Sequence, residues 1–425
     1  MVSTRLVVTL VVVMVMMAGA AHGEKDYAAL TKLRAQLLEG YDRNTLALGA
    51  GGPITVNMSG LVIRNLFMDE KKHQVHLHGW ISYMWNDPRL TWDPEAHSGI
   101  TKLAVSPKDV WLPDLSVYTS ADAASTFMDT SVSQVIIYPT GEVLQVPPID
   151  FVYSCEADLT YWPHDEHICK LIIGSWVNDG YTIDFIPSDG LKPTVEDDEE
   201  QQRARMEWWV AESSTTERKS KYYDCCTEPY VSLTANLLLQ RCAPAFTWLV
   251  KIPAVCFSLL TLVIFLLPPD AGEKITFGGI CMLLHLLFLV FVSDTVRSAP
   301  THTPLIVQLV VVELVLTAAS VVVAAVVVRL SRTPNTASPP APLTSLARSL
   351  ARVLLLNAYA NEASGQESGN KTEEVELGDK GGSDKEKQRV AGAQWLLLGA
   401  FLDRLALVMC LLVMLIVLGR FSMVL

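Results

Sequence analysis

The sequence CEADLTYWPHDEHIC, residues Cys155–Cys169, gives the first indication of the fold of this chain. Its two cysteines enclose thirteen residues, among which Trp162 and Pro163 stand side by side. Joining the two sulfurs would close a small loop and stabilise the surrounding domain by about 3 kcal/mol. Disulfides persist in oxidising compartments, so the first question is whether this part of the chain lies outside the cell.

The start of the chain indicates that it does. Arg5 precedes an apolar run, Leu6–Met17, which is followed by small residues up to Ala20. This pattern is typical of a secretory leader, and we expect residues 1–23 to be a signal peptide. The alternative is a first membrane helix, but the run is short for a span of about 20 residues.

The C-terminal half of the chain predicts a membrane domain. The chain is 50% apolar, with a mean hydropathy of +0.29, which is high for a soluble protein. Four apolar segments approach spanning length; they are Phe246–Leu267, Ile275–Val292, Leu305–Val328 and Trp395–Leu418. Buried helices of a soluble protein are the alternative, which four such runs together make improbable.

A leader followed by four spans places both mature termini outside a plasma membrane that the chain crosses several times, in contact with lipid. We therefore expect an extracellular domain over 24–242 and transmembrane helices one to three over 243–329. A cytoplasmic loop, partly disordered, then covers 330–394. The fourth transmembrane helix and a short extracellular C-terminus cover 395–425. Arginines at the start of the loop suit the cytoplasmic side.

The extracellular half reads as a β-sandwich with an N-terminal helix. Asp26–Gly40 has leucines at helical spacing, whereas later segments such as Val75–Ile81 and Gly141–Val146 alternate with the period of a strand. Many prolines and glycines separate the short runs. Asn57-Met58-Ser59 is a possible glycosylation acceptor on the outside.

Charge and motif content argue against several classes of function. The net charge of −12 gives no basic footprint for nucleic acid, so no nucleic-acid partner is expected. No Ser-His-Asp pattern accompanies a nucleophile turn, and no metal motif occurs. We therefore expect neither an enzyme nor a cofactor or metal site.

A second unusual stretch is YYDCCTEPY, Tyr222–Tyr230, in which Cys225 and Cys226 are adjacent. A metal site, a redox centre and a rigid staple in a ligand loop are three possible explanations. A metal site would require further cysteine or histidine residues at ligand spacing, and none follows this pair. A redox centre more typically has the sequence Cys-x-x-Cys. A disulfide between the two would force a tight, stiff turn, which favours the staple.

These two stretches resemble those of a known family. The Cys155–Cys169 loop looks like the defining loop of the Cys-loop, pentameric ligand-gated ion channels, although His164 and His167 replace the family's usual aromatic and glutamine. The vicinal cysteines resemble those of nicotinic acetylcholine receptor α-type subunits. So do, in matching order, the segments Trp80–Asp87, Trp111–Tyr118 and Gly174–Trp176.

The resemblance implies a ligand site between subunits of a homo- or heteropentamer in a plasma membrane, and it implies a postsynaptic location. A quaternary ammonium such as acetylcholine is attracted by the faces of aromatic rings. By resemblance, Tyr118, Trp176, Tyr223 and Tyr230 form one face of an aromatic box and Trp80 of the next subunit forms the other. The Cys225–Cys226 pair would stiffen the loop that closes over the ligand. Arg241 and Asp165 would couple binding to the membrane domain.

The second apolar segment carries a regular stripe. Steps of three and four residues place one set on a single helical face; this pore stripe comprises Glu273, Thr276, Ile280, Leu283, Leu287 and Asp294. Five such helices around an axis would stack acidic rings, which favour cations, around an apolar constriction that can gate by dewetting. Two acids that merely cap a membrane helix are the alternative. His285 lies about half a turn away and should face neighbouring helices.

The resemblance thus predicts a subunit of an acetylcholine-gated cation channel. A second possibility is an accessory subunit that binds ligand but conducts poorly alone, because Ile280 stands where the family usually has a small hydroxyl residue.

Overall fold

The computed structural model describes residues 27–49, 51–188, 191–196, 206–242, 244–296, 303–332, 337–363 and 381–421. The predicted signal peptide lies outside these residues. The chain divides into two compact units: the first holds residues up to Ala157 together with Glu166–Cys242, and the second holds Asp158–Asp165 and the residues from Ala243 onward.

The first unit begins with helix α1, residues 27–38, and continues with strands. The strands are β1 Ile54–Asp69, β2 Gln74–Asn86, β3 Leu103–Val105, β4 Ser116–Val117, β5 Val135–Ile137, β6 Glu142–Gln145, β7 Pro148–Ser154, β8 Glu166–Gly174, β9 Ile183–Pro187, β10 Thr194–Val195, β11 Trp208–Val210, β12 Thr215–Lys221 and β13 Tyr230–Arg241.

The strands form two sheets. An eight-stranded sheet has the order β10-β1-β2-β6-β5-β3, with β7 paired to β2 and β9 to β1. A five-stranded sheet has the order β11-β13-β8-β4, with β12 paired to β13. Alternation explains the core: in β2, Val75, Leu77, Gly79, Ile81, Tyr83 and Trp85 are all buried, while the intervening residues are partly or fully exposed. The predicted β-sandwich is confirmed.

One covalent bond ties the two sheets together. Cys155, directly after β7 of the larger sheet, forms a disulfide with Cys169 in β8 of the smaller sheet. Both residues are buried. The predicted pairing is confirmed, and it closes a loop whose tip, Asp158–Asp165, belongs to the second unit.

The second unit is helical. Its helices are α2 Pro244–Val263, α3 Glu273–Val296, α4 Leu305–Arg332, α5 Ala341–Leu350, α6 Asn357–Ala363 and α7 Gly381–Phe421. Four of them, α2, α3, α4 and the part of α7 from Gln388 onward, are long and apolar enough to cross a membrane. The predicted four-helix membrane domain is confirmed.

The loop tip packs against helix ends within this unit. The backbone N–H of Leu305, at the start of α4, donates to the carbonyl of Thr160 at 3.0 Å. The ring centroids of Trp162 and Phe246, the latter in α2, lie 4.9 Å apart. The loop that the disulfide closes is therefore attached to the first and third spans.

The fourth helix begins earlier than predicted. It starts at Gly381 rather than at Trp395, so part of the predicted cytoplasmic loop is helical. Residues Gly381–Arg389, which the sequence places in the partly disordered cytoplasmic loop, are helical, while 364–380 lie outside the described residues. Lysine, glutamate and arginine are good helix formers, and a helix already anchored in the membrane propagates readily through them.

Candidate functional site

Trp176 follows β8 and is held by Asp114 rather than by burial. The indole is 57% exposed. The Asp114 carboxylate accepts hydrogen bonds from the backbone N–H groups of Trp176 and Val177, each at 2.9 Å, and from the hydroxyl of Ser175 and the amide of Asn178 at 2.7 Å. One charged acceptor thus organises the whole turn on which the indole stands.

Tyr118, just after β4, lies against this turn. Its hydroxyl donates to the carbonyl of Ser175, and its ring meets that of Trp176 edge-to-face, with centroids 6.1 Å apart. Burial, followed by the nearby Tyr223, Asp114 and Tyr230, raises the pKa of Tyr118 to about 12, so its hydroxyl stays protonated.

Gly174 makes the approach of Tyr118 possible. A Cβ at this position would lie 2.8 Å from the Tyr118 oxygen, which no side chain could accommodate without displacing the ring. The glycine before Ser175 and Trp176 is therefore required by the packing of the site.

The capping loop, Tyr222–Tyr230, connects β12 to β13. The rings of Tyr223 and Tyr230 are perpendicular, with centroids 5.7 Å apart. Cys225 and Cys226 are bonded to each other in this loop. Of the three explanations that the sequence left open, this bond matches the staple.

A cation of the protein itself contacts this loop. The ammonium of Lys221, the last residue of β12, lies 4.7 Å from the centroid of the Tyr223 ring. This is within the range of a cation–π interaction. At least one ring of the predicted box can therefore receive a positive charge in the geometry that the structure describes.

Trp80 belongs to a different sheet from the other four aromatics. It lies in β2 of the eight-stranded sheet, paired with Val62 and Pro148, and is half-buried. The other four stand on, or on loops that adjoin, the five-stranded sheet. This separation is what a contribution from a neighbouring subunit requires.

The pore stripe forms one face of α3. All six of its residues are solvent-exposed in the single chain. The opposite face is buried and comprises Lys274, Gly278, Cys281, His285, Phe288, Val292 and Val296. The structure therefore separates Glu273, on the exposed face, from the adjacent Lys274, whose ammonium is bonded to Asp403 of α7.

Arg241, at the end of β13, has a buried side chain that pairs with two partly exposed glutamates. Its guanidinium lies 2.8 Å from Glu70 and 2.6 Å from Glu207, with the ring of Trp208 at 4.2 Å. Asp165, the second predicted coupling residue, is also buried. Their role in coupling stays a prediction.

Asn57 is exposed on β1, and its side-chain oxygen accepts a hydrogen bond from Ser188 at 2.9 Å. Glycosylation at this residue stays a prediction.

Sequence reasoning gave no role to Asp114, Phe127 or Lys221. Phe127 meets the indole of Trp176 edge-to-face, with centroids 6.1 Å apart. The signal for Asp114 was present, because an aspartate directly after Pro113 lies where a turn would expose it to backbone N–H groups. Nothing in the sequence indicates the contacts of Phe127 and Lys221, which depend on how distant segments meet.

Two family models match this chain. Residues 30–243 match the family model of the neurotransmitter-gated ion-channel ligand binding domain, and residues 250–393 match that of the neurotransmitter-gated ion-channel transmembrane region.

Individual relatives are acetylcholine receptor subunits. The chain is 34% identical to acetylcholine receptor subunit alpha-type acr-16 of Caenorhabditis elegans over 59% of this chain and 48% of that protein. It is 30% identical to the human neuronal acetylcholine receptor subunit alpha-2 over 76% of this chain and 59% of that protein. It is 29% identical to acetylcholine receptor subunit alpha-like 2 of Drosophila melanogaster over 72% and 54%, respectively. The chain thus spans about half the length of the curated relatives it matches.

Proposed function

This chain belongs to the neurotransmitter-gated ion-channel family, whose members are channels and not enzymes, and from that premise we propose that it is a subunit of an agonist-gated cation channel. Acetylcholine or a similar organic cation binds in the aromatic box between neighbouring subunits of a pentamer. The relatives named above carry acetylcholine in their names.

The observation that carries the proposal is the convergence of four aromatic side chains on one end of the five-stranded sheet. Tyr118 contacts Trp176, Tyr223 contacts Tyr230, and the two tyrosines of the capping loop raise the pKa of Tyr118. An ammonium without hydrogen-bond donors can be bound by such ring faces at about 0.5–2 kcal/mol each. A sandwich core would instead bury these rings, and Trp176 and Tyr223 are exposed.

Cation selectivity is supported by the charges along α3. The exposed pore stripe begins with Glu273 and ends with Asp294, whereas Lys274 turns to the buried face. Rings of carboxylates at both ends of a pore favour cations. Leu283 and Leu287 between them supply an apolar constriction.

Gating then requires that the agonist bind the open state more tightly than the closed state. A ligand with equal affinity for both states would not shift the equilibrium between them. The loop closed by Cys155–Cys169, which is attached to α2 and α4, is the element through which we expect closure of the capping loop to act.

The decisive experiment measures binding of a labelled quaternary ammonium agonist to the full chain at the cell surface. Trp176→Ala should weaken binding about 2- to 30-fold, the value of one cation–π contact. Phe67→Ala, which removes another exposed aromatic ring on β1, is the matched control and should leave binding unchanged. Equal binding by the wild type and Trp176→Ala at equal surface expression contradicts the aromatic box.

The second candidate, an accessory subunit that conducts poorly alone, is favoured by Ile280. This β-branched apolar residue is exposed within the pore stripe, in the half of α3 that begins at Glu273. Agonist-evoked current from the chain expressed alone supports the first function. Silence alone, with current after co-expression of another α-type subunit, supports the second.

A further inference from the structure

The turn before α3, residues 268–272, determines where the pore stripe begins. It ends directly before Glu273, the first residue of α3 and of the pore stripe. Pro268 and Pro269 at its start have no backbone N–H to donate. Inside the turn, the N–H of Ala271 donates to the carbonyl of Pro268 at 3.1 Å. A turn with so little bonding of its own needs support from another element to keep one shape.

Arg332, the last residue of α4, supplies this support. Its Nε donates to the backbone carbonyl oxygen of Asp270 at 2.6 Å. A hydrogen bond from a charged donor is shorter and stronger than one between neutral groups. The acceptor is a main-chain atom, so the bond constrains the path of the turn itself and not the position of a side chain.

Gly272 leaves room for the guanidinium beside the turn. A Cβ at this residue would lie 3.0 Å from Nη2, 3.1 Å from Nη1 and 3.3 Å from Cζ of Arg332. These distances are shorter than ordinary van der Waals contact, so a side chain here would push the guanidinium away. Arg332 therefore contacts the turn at Asp270 and at Gly272, directly before Glu273.

The end of α4 that carries Arg332 is itself held by α7. Gly399 of α7 packs so closely on Ser331 that a Cβ at the glycine would collide with the serine hydroxyl. One helical turn further along α7, Asp403 is bonded to Lys274, the second residue of α3. The start of α3 is thus held on two sides, by Asp403 through Lys274 and by Arg332 through the preceding turn.

We propose that Arg332 is a positioning residue that holds this turn so that the carboxylate of Glu273 faces the axis of the channel. The inference rests on the proposed function, because this exposed glutamate lines a pore only in a ring of subunits. Lys274 fixes the buried side of the same helix end, but it does not restrain the backbone before it. With Arg332 in place, the carboxylates keep one radius and maintain a high density of cations at this end of the pore.

Hydrogen exchange of the purified full chain in micelles tests the support directly. Arg332→Gln removes the charged donor, so the turn should open more often. The backbone amides of Ala271 and Ile275, which bond within and just after the turn, should then exchange about tenfold faster or more. Arg420→Gln, which changes an exposed arginine about 25 Å along α7 from Asp403, is the matched control and should leave these amides unchanged. Unchanged exchange in Arg332→Gln overturns the proposal.

Conduction tests the consequence for the pore. In Arg332→Gln the single-channel conductance for Na⁺ should fall about twofold or more at unchanged agonist affinity, because the Glu273 ring is no longer held at one radius. Gly272→Ala keeps every charge and should lower the conductance in the same way, since its methyl group displaces the guanidinium. A direct effect of the arginine charge predicts the opposite sign, because removing a positive charge near the pore would raise cation conductance.

The double variant Gly272→Ala/Arg332→Gln completes the cycle. Without the guanidinium the added methyl group has nothing to displace, so the double variant should conduct like Arg332→Gln alone. Effects that add, or a conductance that is unchanged or raised in either single variant, overturn the proposal. If Arg332→Gln does not fold, Gly272→Ala serves for both the exchange and the conductance measurements.

Failure of the proposed function has a separate signature. It is the absence of agonist-evoked current from the wild type, both alone and with another α-type subunit. The exchange rates then decide by themselves for or against the support that Arg332 gives to the turn.

Discussion

Trp176 shows how an aromatic side chain can be exposed and yet have a fixed position. Burial normally restrains an indole, but here a single carboxylate, that of Asp114, restrains the backbone beneath it. Because Asp114 touches the turn and not the ring face, it positions the indole without competing for a cationic ligand.

The first prediction concerns this carboxylate. Asp114→Asn replaces a charged acceptor of several hydrogen bonds with a neutral amide, each charged bond being worth about 1.5–3 kcal/mol. We expect agonist affinity to fall about tenfold or more, with surface expression preserved, in a binding assay. Asp129→Asn, which changes an exposed aspartate that caps a short turn, is the control. Unchanged affinity in Asp114→Asn would show that the turn orients Trp176 without the charge.

The second prediction concerns the protein's own cation. The Lys221 ammonium lies over the face of the Tyr223 ring, a contact worth about 0.5–1 kcal/mol at an exposed site. A cationic ligand that binds the same ring face must displace it. Lys221→Gln should therefore bind a quaternary ammonium about 2- to 5-fold more tightly. Lys219→Gln, which breaks the exposed pair with Glu217, should not. Equal or weaker binding by Lys221→Gln would refute the competition.

At the scale of elements, hydrophobic periodicity predicted most of the fold. The alternation of β2 and the apolar length of α2, α3 and α4 are local properties, which can be seen within the sequence of each element alone. The sequence does not predict the early start of α7, because the charged residues of Gly381–Arg389 are also typical of a loop. Such residues extend a helix readily once its apolar part has formed.

A polar tie between two helices gives the third prediction. Lys274 of α3 and Asp403 of α7 are both buried and bonded to each other. Asp403→Asn leaves a buried ammonium unpaired and should destabilise the helical unit by about 3–5 kcal/mol. The double variant Lys274→Met/Asp403→Leu removes both charges and should recover most of that loss.

Unfolding in mixed micelles measures both variants. Lys219→Gln, at an exposed ion pair, should cost about 1 kcal/mol or less. If the double variant is as unstable as Asp403→Asn, the pair acts through something other than charge compensation.

At the scale of the whole molecule, the candidate site is divided between two sheets. Trp80 lies on the larger sheet and Trp176 beside the smaller one. In a head-to-tail ring of identical chains, the Trp176 side of one chain would face the Trp80 side of the next. The box stays a prediction from resemblance. The hydrogen bonds of Asp114 to the Trp176 turn and the contact of Lys221 with the Tyr223 ring depend on three-dimensional contacts that the sequence does not display.

Complementation tests this arrangement and is the fourth prediction. Chains carrying Trp80→Ala and chains carrying Trp176→Ala should each lose agonist affinity when expressed alone. Co-expressed in equal amounts, they should recover about one quarter of the high-affinity sites, because a random ring pairs the two intact faces at that frequency. Trp176→Ala co-expressed with a chain that carries both substitutions is the control and should recover none. Absence of recovery in the first mixture would place both tryptophans in one subunit's site.

The tie between Lys274 and Asp403 has a consequence for the outermost helix. Over residues 405–418, α7 is apolar on all sides. Such a helix has no intrinsic preference for one rotation about its axis, or for one depth, relative to the neighbouring helices. A single carboxylate midway along α7, that of Asp403, fixes this rotation and depth through its bond to Lys274. We therefore expect exchanges among the exposed apolar residues of 405–418 to have little effect, while moving the aspartate by one position would rotate the helix by about 100°.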